Sequence, residues 1–267
     1  MPVDVILGDS PLVLSLPYKG TNMQNVLVQR LIDRHHFINV PDRYLDRLLE
    51  GLTDEATVVQ ANFHRYVSDV EHPSQGPAEK AENGMIGVVP LLDLEGAAIW
   101  DRPPTRAEAA RWRSIYYAPY HAALATQIAR ARALYGHAVL VTCHALPSDM
   151  VRRNTAGLQD INLATFLGAS CSLDLSTKLV ALCQTHQAFG TKVDSGIKTG
   201  WATRRYGRPR AKVHALDLRL NEACYLSADG EADHYDETQA EPFREMLRDV
   251  MGLLASWRPL RSSGRSP

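Results

Sequence analysis

The residues best placed to do chemistry gather where an apolar run ends. His137 to Ser148 reads HAVLVTCHALPS. Ala138-Val139-Leu140-Val141 is short, β-branched-rich and entered from Gly136, so it predicts a strand buried on both faces. The run breaks into Thr142-Cys143-His144-Ala145, which puts His144 at the carboxyl end of a parallel strand, the edge where open α/β sheets bind ligands. An imidazole there serves as a metal ligand or an acid–base group, or else as a satisfied structural side chain. Asp42 and Asp46 follow Pro41, which can open a helix, and they fall one turn apart on one face. They offer a carboxylate pair; the alternative is two solvated charges paired with Arg43 and Arg47.

Other reactive types give weaker signals. Cys143, Cys171, Cys183 and Cys224 lie far apart with no C-x-x-C pair, so neither a zinc knuckle nor a disulfide scaffold is expected. Cys143 adjoins His144, but neighbours on a strand face opposite ways and should not form a nucleophile–base pair. Arg204, Arg205, Arg208 and Arg210 cluster, yet only Trp201 and Tyr206 interleave with them. The net charge of -1 gives no reason to expect nucleic acid or an anionic membrane as a partner. The first residues show no basic segment followed by a long apolar core, and no apolar run reaches spanning length, so a cytoplasmic protein is expected.

The elements that must position these groups alternate in kind. Leu12–Leu16 and Ala56–Ala61 read as buried strands, and a helix is expected through Val26 to Ile32. Tyr44, Leu45, Leu48 and Leu49 recur at helical spacing. Residues 72–104 are rich in Gly and Pro with no sustained period, a loop that binds, covers or decorates. Thr105 caps a long helical pattern to Leu134 that should kink or restart at Pro119, and His121 packs on that break. Asp160 to Thr165 is a short apolar stretch, Leu175 to Leu182 a helix, and Lys212 to Leu220 a strand. A final amphipathic helix, about Glu237 to Trp257, sets Phe243, Met246, Leu247, Val250, Leu253 and Leu254 on one side. The sum is an α/β fold: one layered domain over residues 1–257, with a mixed, mostly parallel sheet flanked by helices, and a polar tail over 258–267. At 267 residues, 45% hydrophobic and 22% charged, the chain suits one such domain.

Several stretches together resemble a known family. LVLSLPYKG near the start, RYVSDVEHP from Arg65, YYAPYHAAL from Tyr116, NLATFLGASC from Asn162, IKTGWATRRYGRP from Ile197 and VHALDLRL from Val213 follow the order and spacing of the N-formylglutamate amidohydrolases. The likeness runs from about Pro11 to Trp257. It implies a zinc-peptidase-like, phosphorylase/hydrolase-like α/β fold. It also implies a zinc or similar metal-dependent hydrolase that cleaves N-formyl-L-glutamate to formate and glutamate, the last step of one route of histidine breakdown. Such a reaction needs a metal on two or three protein ligands, a bound water, a carboxylate to move its proton, and cations for the substrate carboxylates.

At the polar centres the chain departs from the family pattern. An early PHSG turn becomes Pro17-Tyr18-Lys19-Gly20; in a DTDWHVDRL-like segment the histidine becomes Tyr44 while Asp42 and Asp46 stay. A DAHS motif becomes Thr142-Cys143-His144-Ala145, and a QLE motif becomes Asp217-Leu218-Arg219, a cation in place of the glutamate. The resemblance therefore implies His144, Arg219 and Tyr18 at the reaction centre, and His144, Asp42 and Asp46 as ligands if a metal is bound. Arg65, Asn162, Lys198 and Arg204 match family positions and are candidates to hold a dicarboxylate or N-acyl amino acid; structural pairing, as of Arg65 with Asp69, is the alternative. Three functions stay open: the family hydrolase, a metal-free pseudoenzyme that binds an anion or a protein partner, and an enzyme of altered, metal-independent chemistry. A homo-oligomer is compatible with each.

Overall fold

Residues 1–33, 42–74, 84–93, 96–153, 157–194, 198–227 and 234–260 are described by a computed structural model. The chain runs β1 (Val3–Ile6), β2 (Leu12–Leu16), α1 (Asn25–Val28), α2 (Leu45–Leu48), β3 (Thr57–Ala61), β4 (Met85–Ile86), β5 (Val89–Pro90) and α3 (Arg106–Trp112). It continues through α4 (Ala118–Tyr135), β6 (Ala138–Leu146), α5 (Ser148–Arg153), β7 (Ile161–Ala164), α6 (Leu173–Thr185), β8 (Thr191–Val193) and α7 (Trp201–Tyr206). The last elements are β9 (Val213–Asn221), β10 (Leu226–Ser227), β11 (His234–Tyr235) and α8 (Glu237–Ser256).

Seven strands form one sheet in the order β1-β3-β2-β6-β9-β7-β8. The pairs β2–β3, β2–β6, β6–β9 and β7–β8 are parallel, and β1–β3 and β7–β9 are antiparallel. This is the expected mixed, mostly parallel α/β sheet. Its centre is β6 against β9, in register from Ala138↔Val213 to Leu146↔Asn221, with every residue of both strands buried. β6 runs on past the apolar run to Leu146 because β9 pairs with it throughout, and His144 lies near its carboxyl end as expected.

Alternation along these strands decides what each face carries. Val139, Val141, Cys143 and Ala145 of β6 and Leu216, Leu218 and Leu220 of β9 pack with α6 and α8 in one apolar cluster. The opposite face packs on α4 through Val13, Ala138, Leu140, Val213 and Ala215, with Tyr120, Leu124 and Ile128. On that second face the residue types change along each strand. Val13 gives way to Ser15; Ala138 and Leu140 to Thr142 and His144; Val213 and Ala215 to Asp217 and Arg219. One half of the face is therefore core, and the half at the carboxyl ends is a buried polar layer. Ser15 marks the boundary, sharing a 2.7 Å hydrogen bond with the Tyr120 hydroxyl.

Several local expectations are corrected. The helix expected over Val26 to Ile32 is the single turn α1, because Arg30 N bonds back to Leu27 O and Leu31 joins a bridge with Trp100. Pro41 lies outside the described residues. Asp42 and Asp46 do not share a helical face: Asp42 precedes α2 with a left-handed φ of 63° and is buried, whereas Asp46 is inside α2 and exposed. The interruption before Pro119 is a π-helical turn, Arg113–Tyr117, after which α4 continues to a left-handed Gly136. Proline lacks the N–H that an unbroken α-helix needs there. The described part of the Gly/Pro-rich stretch is not a bare loop. Val89, Ile99 and Trp100 pack with Leu27, Leu31 and Trp112 in a core of their own, and the Trp100 indole donates to Pro90 O at 2.7 Å.

Candidate active site

The buried polar layer is closed by segments that follow β2 and β3. Tyr18 stands two residues beyond β2, where Gly20 presses so closely on the backbone of Asn62 and Phe63 that a β-carbon would collide with it. Beyond β3, Asp69 gathers three donors: the Tyr18 hydroxyl at 2.7 Å, Arg65 Nη2 at 2.9 Å and the Glu71 backbone N–H at 2.9 Å. The Arg65 guanidinium also lies 4.9 Å from the Tyr18 ring centroid. Burial and the neighbouring Asp69 carboxylate push the Tyr18 phenol above its ordinary range, so it is a hydrogen-bond donor and not an anion.

Tyr18 stacks obliquely on His144, with ring centroids 5.2 Å apart. Behind the imidazole, Asp42 Oδ2 is 3.6 Å from Nδ1, and Asp42 Oδ1 accepts from the Ala145 N–H at 2.7 Å. The left-handed backbone at Asp42, which aspartate tolerates, turns its carboxylate inward to make both contacts. Burial opposes a charge on His144, but Asp42 and then Glu71 outweigh it, while Arg219 pulls the other way; the net pKa lies above the usual histidine value. His144 is therefore held toward the imidazolium.

Arg219 is the in-register partner of His144 on β9. Its Nη2 donates to Asp217 Oδ2 at 2.9 Å and to Lys198 O at 2.7 Å, and its Nε has no partner among the described residues. Asp217 is fully buried and also accepts from Gly200 N at 2.7 Å and the Thr203 hydroxyl at 2.6 Å. One carboxylate thus ties β9 to the start of α7.

Of the remaining candidates, Asn162 adjoins the layer as the in-register β7 partner of Arg219. Asn162 makes a two-way bond with the Gln159 backbone, closing the turn into β7. Arg204 Nε donates to Thr199 O at 2.9 Å while its guanidinium lies over Trp201, and the Lys198 side chain is exposed. Asp46 accepts from Arg47 N–H and, with Lys19 and Gln60, lines an open cleft of about 360 Å³ away from His144; Lys19 Nζ bonds Gln60 Oε1 at 3.1 Å. His121 is structural, held between Val70 O and the Tyr206 hydroxyl, and burial lowers its pKa to about 4.

The residue missed from sequence is Glu71. It was visible as the second acid of RYVSDVEHP, two positions after Asp69. Its Oε2 accepts from Ala202 N at 3.3 Å, and its Oε1 is buried without a partner among the described residues.

Among the described residues the donor set does not fit a divalent metal. Among the described residues no three His, Cys, Asp or Glu side chains converge as ligands. Asp46 is remote, and the Arg219 cation is the neighbour of His144.

A sequence profile described as N-formylglutamate amidohydrolase matches residues 10–226. The chain belongs to the N-formylglutamate amidohydrolase family. It is 28% identical over 254 residues to an N-formylglutamate deformylase of Pseudomonas aeruginosa, covering 94% of each chain, and 28% identical over 253 residues to one of Pseudomonas putida. Among solved structures it superposes on an N-formylglutamate amidohydrolase from Ralstonia eutropha JMP134 with a TM-score of 0.81 at 20% identity, over 95% of this chain and 97% of that one. A gene product of Agrobacterium tumefaciens superposes with a TM-score of 0.66 at 14% identity, over 95% and 94%. For this family member a thiol route has no support. Cys143 is fully buried in the α6/α8 cluster, and burial, with Asp42 nearby, pushes its pKa well up. Cys143→Ala is expected to keep any turnover within a few-fold of the parent; loss of turnover with the fold intact would reinstate the thiol.

Proposed function

We propose that this chain binds an N-acylated acidic amino acid of the N-formyl-L-glutamate kind and hydrolyses its amide bond beside His144. What carries the reading is the convergence of the His144–Asp42 pair, Tyr18, Arg65 and Arg219 on one buried polar layer, in a chain of this family. Amide hydrolysis builds negative charge on the carbonyl oxygen and requires a proton for the departing nitrogen. An imidazolium backed by Asp42 answers both needs, and Arg65 and Arg219 bring cationic forks suited to carboxylates. Because the donors among the described residues do not fit a metal, the proposed chemistry runs through these side chains.

A pseudoenzyme that binds the same dicarboxylate without turnover is the second reading. The observation that favours it is Arg219, a cation where the resemblance implies a glutamate. We further place the protein in the cytoplasm, supported by four free, buried cysteines; among the described residues no helix is long and apolar enough to cross a membrane.

The test is formate release from N-formyl-L-glutamate by purified protein, before and after dialysis against a strong chelator. Formate and glutamate should appear in equal amounts, at a rate the chelator leaves unchanged. A rate abolished by chelation and restored by zinc would overturn the metal-free mechanism. A glutamate-induced rise in melting temperature with no formate at any pH would replace hydrolysis by binding.

A further inference from the structure

We propose that Glu71 is the base of the site: its carboxylate takes the proton from the attacking water, a job that a guanidinium at position 219 cannot do. The proposal rests on the hydrolytic reading above and adds a residue to it.

The carboxyl group is held and aimed. The Glu71 backbone N–H is fixed on Asp69, and Oε2 rests on the Ala202 N–H, in a space kept open by Gly200, where a β-carbon would strike Oε2. That leaves Oε1 buried and without a partner among the described residues. A carboxylate oxygen desolvated and left unpaired is costly for stability alone, and such a cost is common where a group must stay free to react. Glu71 also faces the right groups. His144 on β6, Asp217 on β9 and Asp69 on its own segment all act on it electrostatically, as it acts on Tyr18 after β2, Tyr120 on α4 and Tyr206 on α7. Burial, then Asp217 and Asp69, push its pKa up against the pull of His144, to about 8. A base poised near working pH combines availability with driving force.

The step balances with these two residues. Glu71 takes one proton from water while the water oxygen bonds to the formyl carbon. The carbon–nitrogen bond then breaks as nitrogen takes a proton from the His144 imidazolium. Formic acid and the free amine leave, and the proton on Glu71 passes to His144, restoring both groups.

Glu71→Gln keeps the size of the side chain and an acceptor for Ala202, so it should fold and bind. With N-formyl-L-glutamate its kcat is expected to fall by roughly 10²–10⁴-fold while KM stays within about threefold. Glu71→Asp should recover part of the rate. The parent's kcat/KM should rise with pH through about 8, and the residual activity of Glu71→Gln should lack that limb. A Glu71→Gln enzyme within fivefold of the parent, alongside a dead His144→Ala, would overturn the role of Glu71 and leave the hydrolytic reading standing. A parent pH profile with no ionisation near 8 would do the same even if Glu71→Gln failed to fold. A parent that releases no formate at any pH overturns both.

Discussion

Replacing Asp217 by alanine is expected to lower the unfolding free energy by about 3–5 kcal/mol, the typical cost of removing one partner from a buried ion pair. Asp217 is wholly shielded from solvent and satisfies the Gly200 N–H, the Thr203 hydroxyl and Arg219 Nη2. Alanine leaves the first two donors without their acceptor and the guanidinium, among the described residues, with only the Lys198 carbonyl. The uncompensated charge should dominate, because a buried cation costs more than an unmade neutral hydrogen bond. Urea unfolding should therefore show a lowered midpoint at unchanged slope. A second change separates the causes. Asp217→Ala combined with Arg219→Leu removes both charges and should regain most of the loss, since an apolar pair of similar volume is often neutral against a buried ion pair. A loss below about 1 kcal/mol in the single variant would mean that Arg219 reaches solvent or another carboxylate.

The same pair shows how far the sequence speaks. The alternation of Val213, Ala215, Asp217 and Arg219 against Leu216, Leu218 and Leu220 is plain in the string, and so is a strand ending near His144. What the string omits is register. Only the β6–β9 pairing puts Arg219 opposite His144, and only the parallel β2–β6 pairing brings Tyr18 within ring contact of the imidazole. Motif resemblance supplied those neighbours in advance because it carries three-dimensional information that periodicity lacks. Where resemblance was applied residue by residue without backbone geometry, it misplaced side chains. Asp46, given as a candidate ligand, lines a separate cleft. The left-handed turn at Asp42 separates it from Asp46, a conformation no spacing rule anticipates. Glu71 escaped notice for a related reason: a lone acid in a loop is ordinary until a glycine on another element, Gly200, is seen to make room for it.

The double variant Tyr18→His with Arg219→Glu is expected to hold about one zinc per molecule after growth in metal-replete medium, where the parent should hold little. The reason is charge and donor type at two neighbours of one imidazole. Tyr18 offers a phenol that burial keeps protonated, and Arg219 presents a cation at the position paired with His144, so a divalent ion meets repulsion and a poor ligand. The two replacements put an imidazole where the Tyr18 ring stands 5.2 Å from His144, and a carboxylate at the in-register β9 position. Asp42, at 3.6 Å from His144 Nδ1, is already arranged as the partner that fixes a ligating histidine. The change has a cost that makes the experiment sharper. Without metal, a carboxylate at position 219 shares a strand face with Asp217, two residues away, and Asp217 loses the guanidinium that neutralises it. The metal-free variant should be less stable than the parent, and added zinc should raise its melting temperature by more than it raises the parent's, because binding to the folded state alone adds its free energy to folding. Elemental analysis and thermal melts then report the same linkage independently. Stoichiometric zinc in the unmodified protein would show that other donors complete the site, whereas a folded double variant indifferent to zinc would break the positional match between Tyr18, Arg219 and the ligand positions that the resemblance implies.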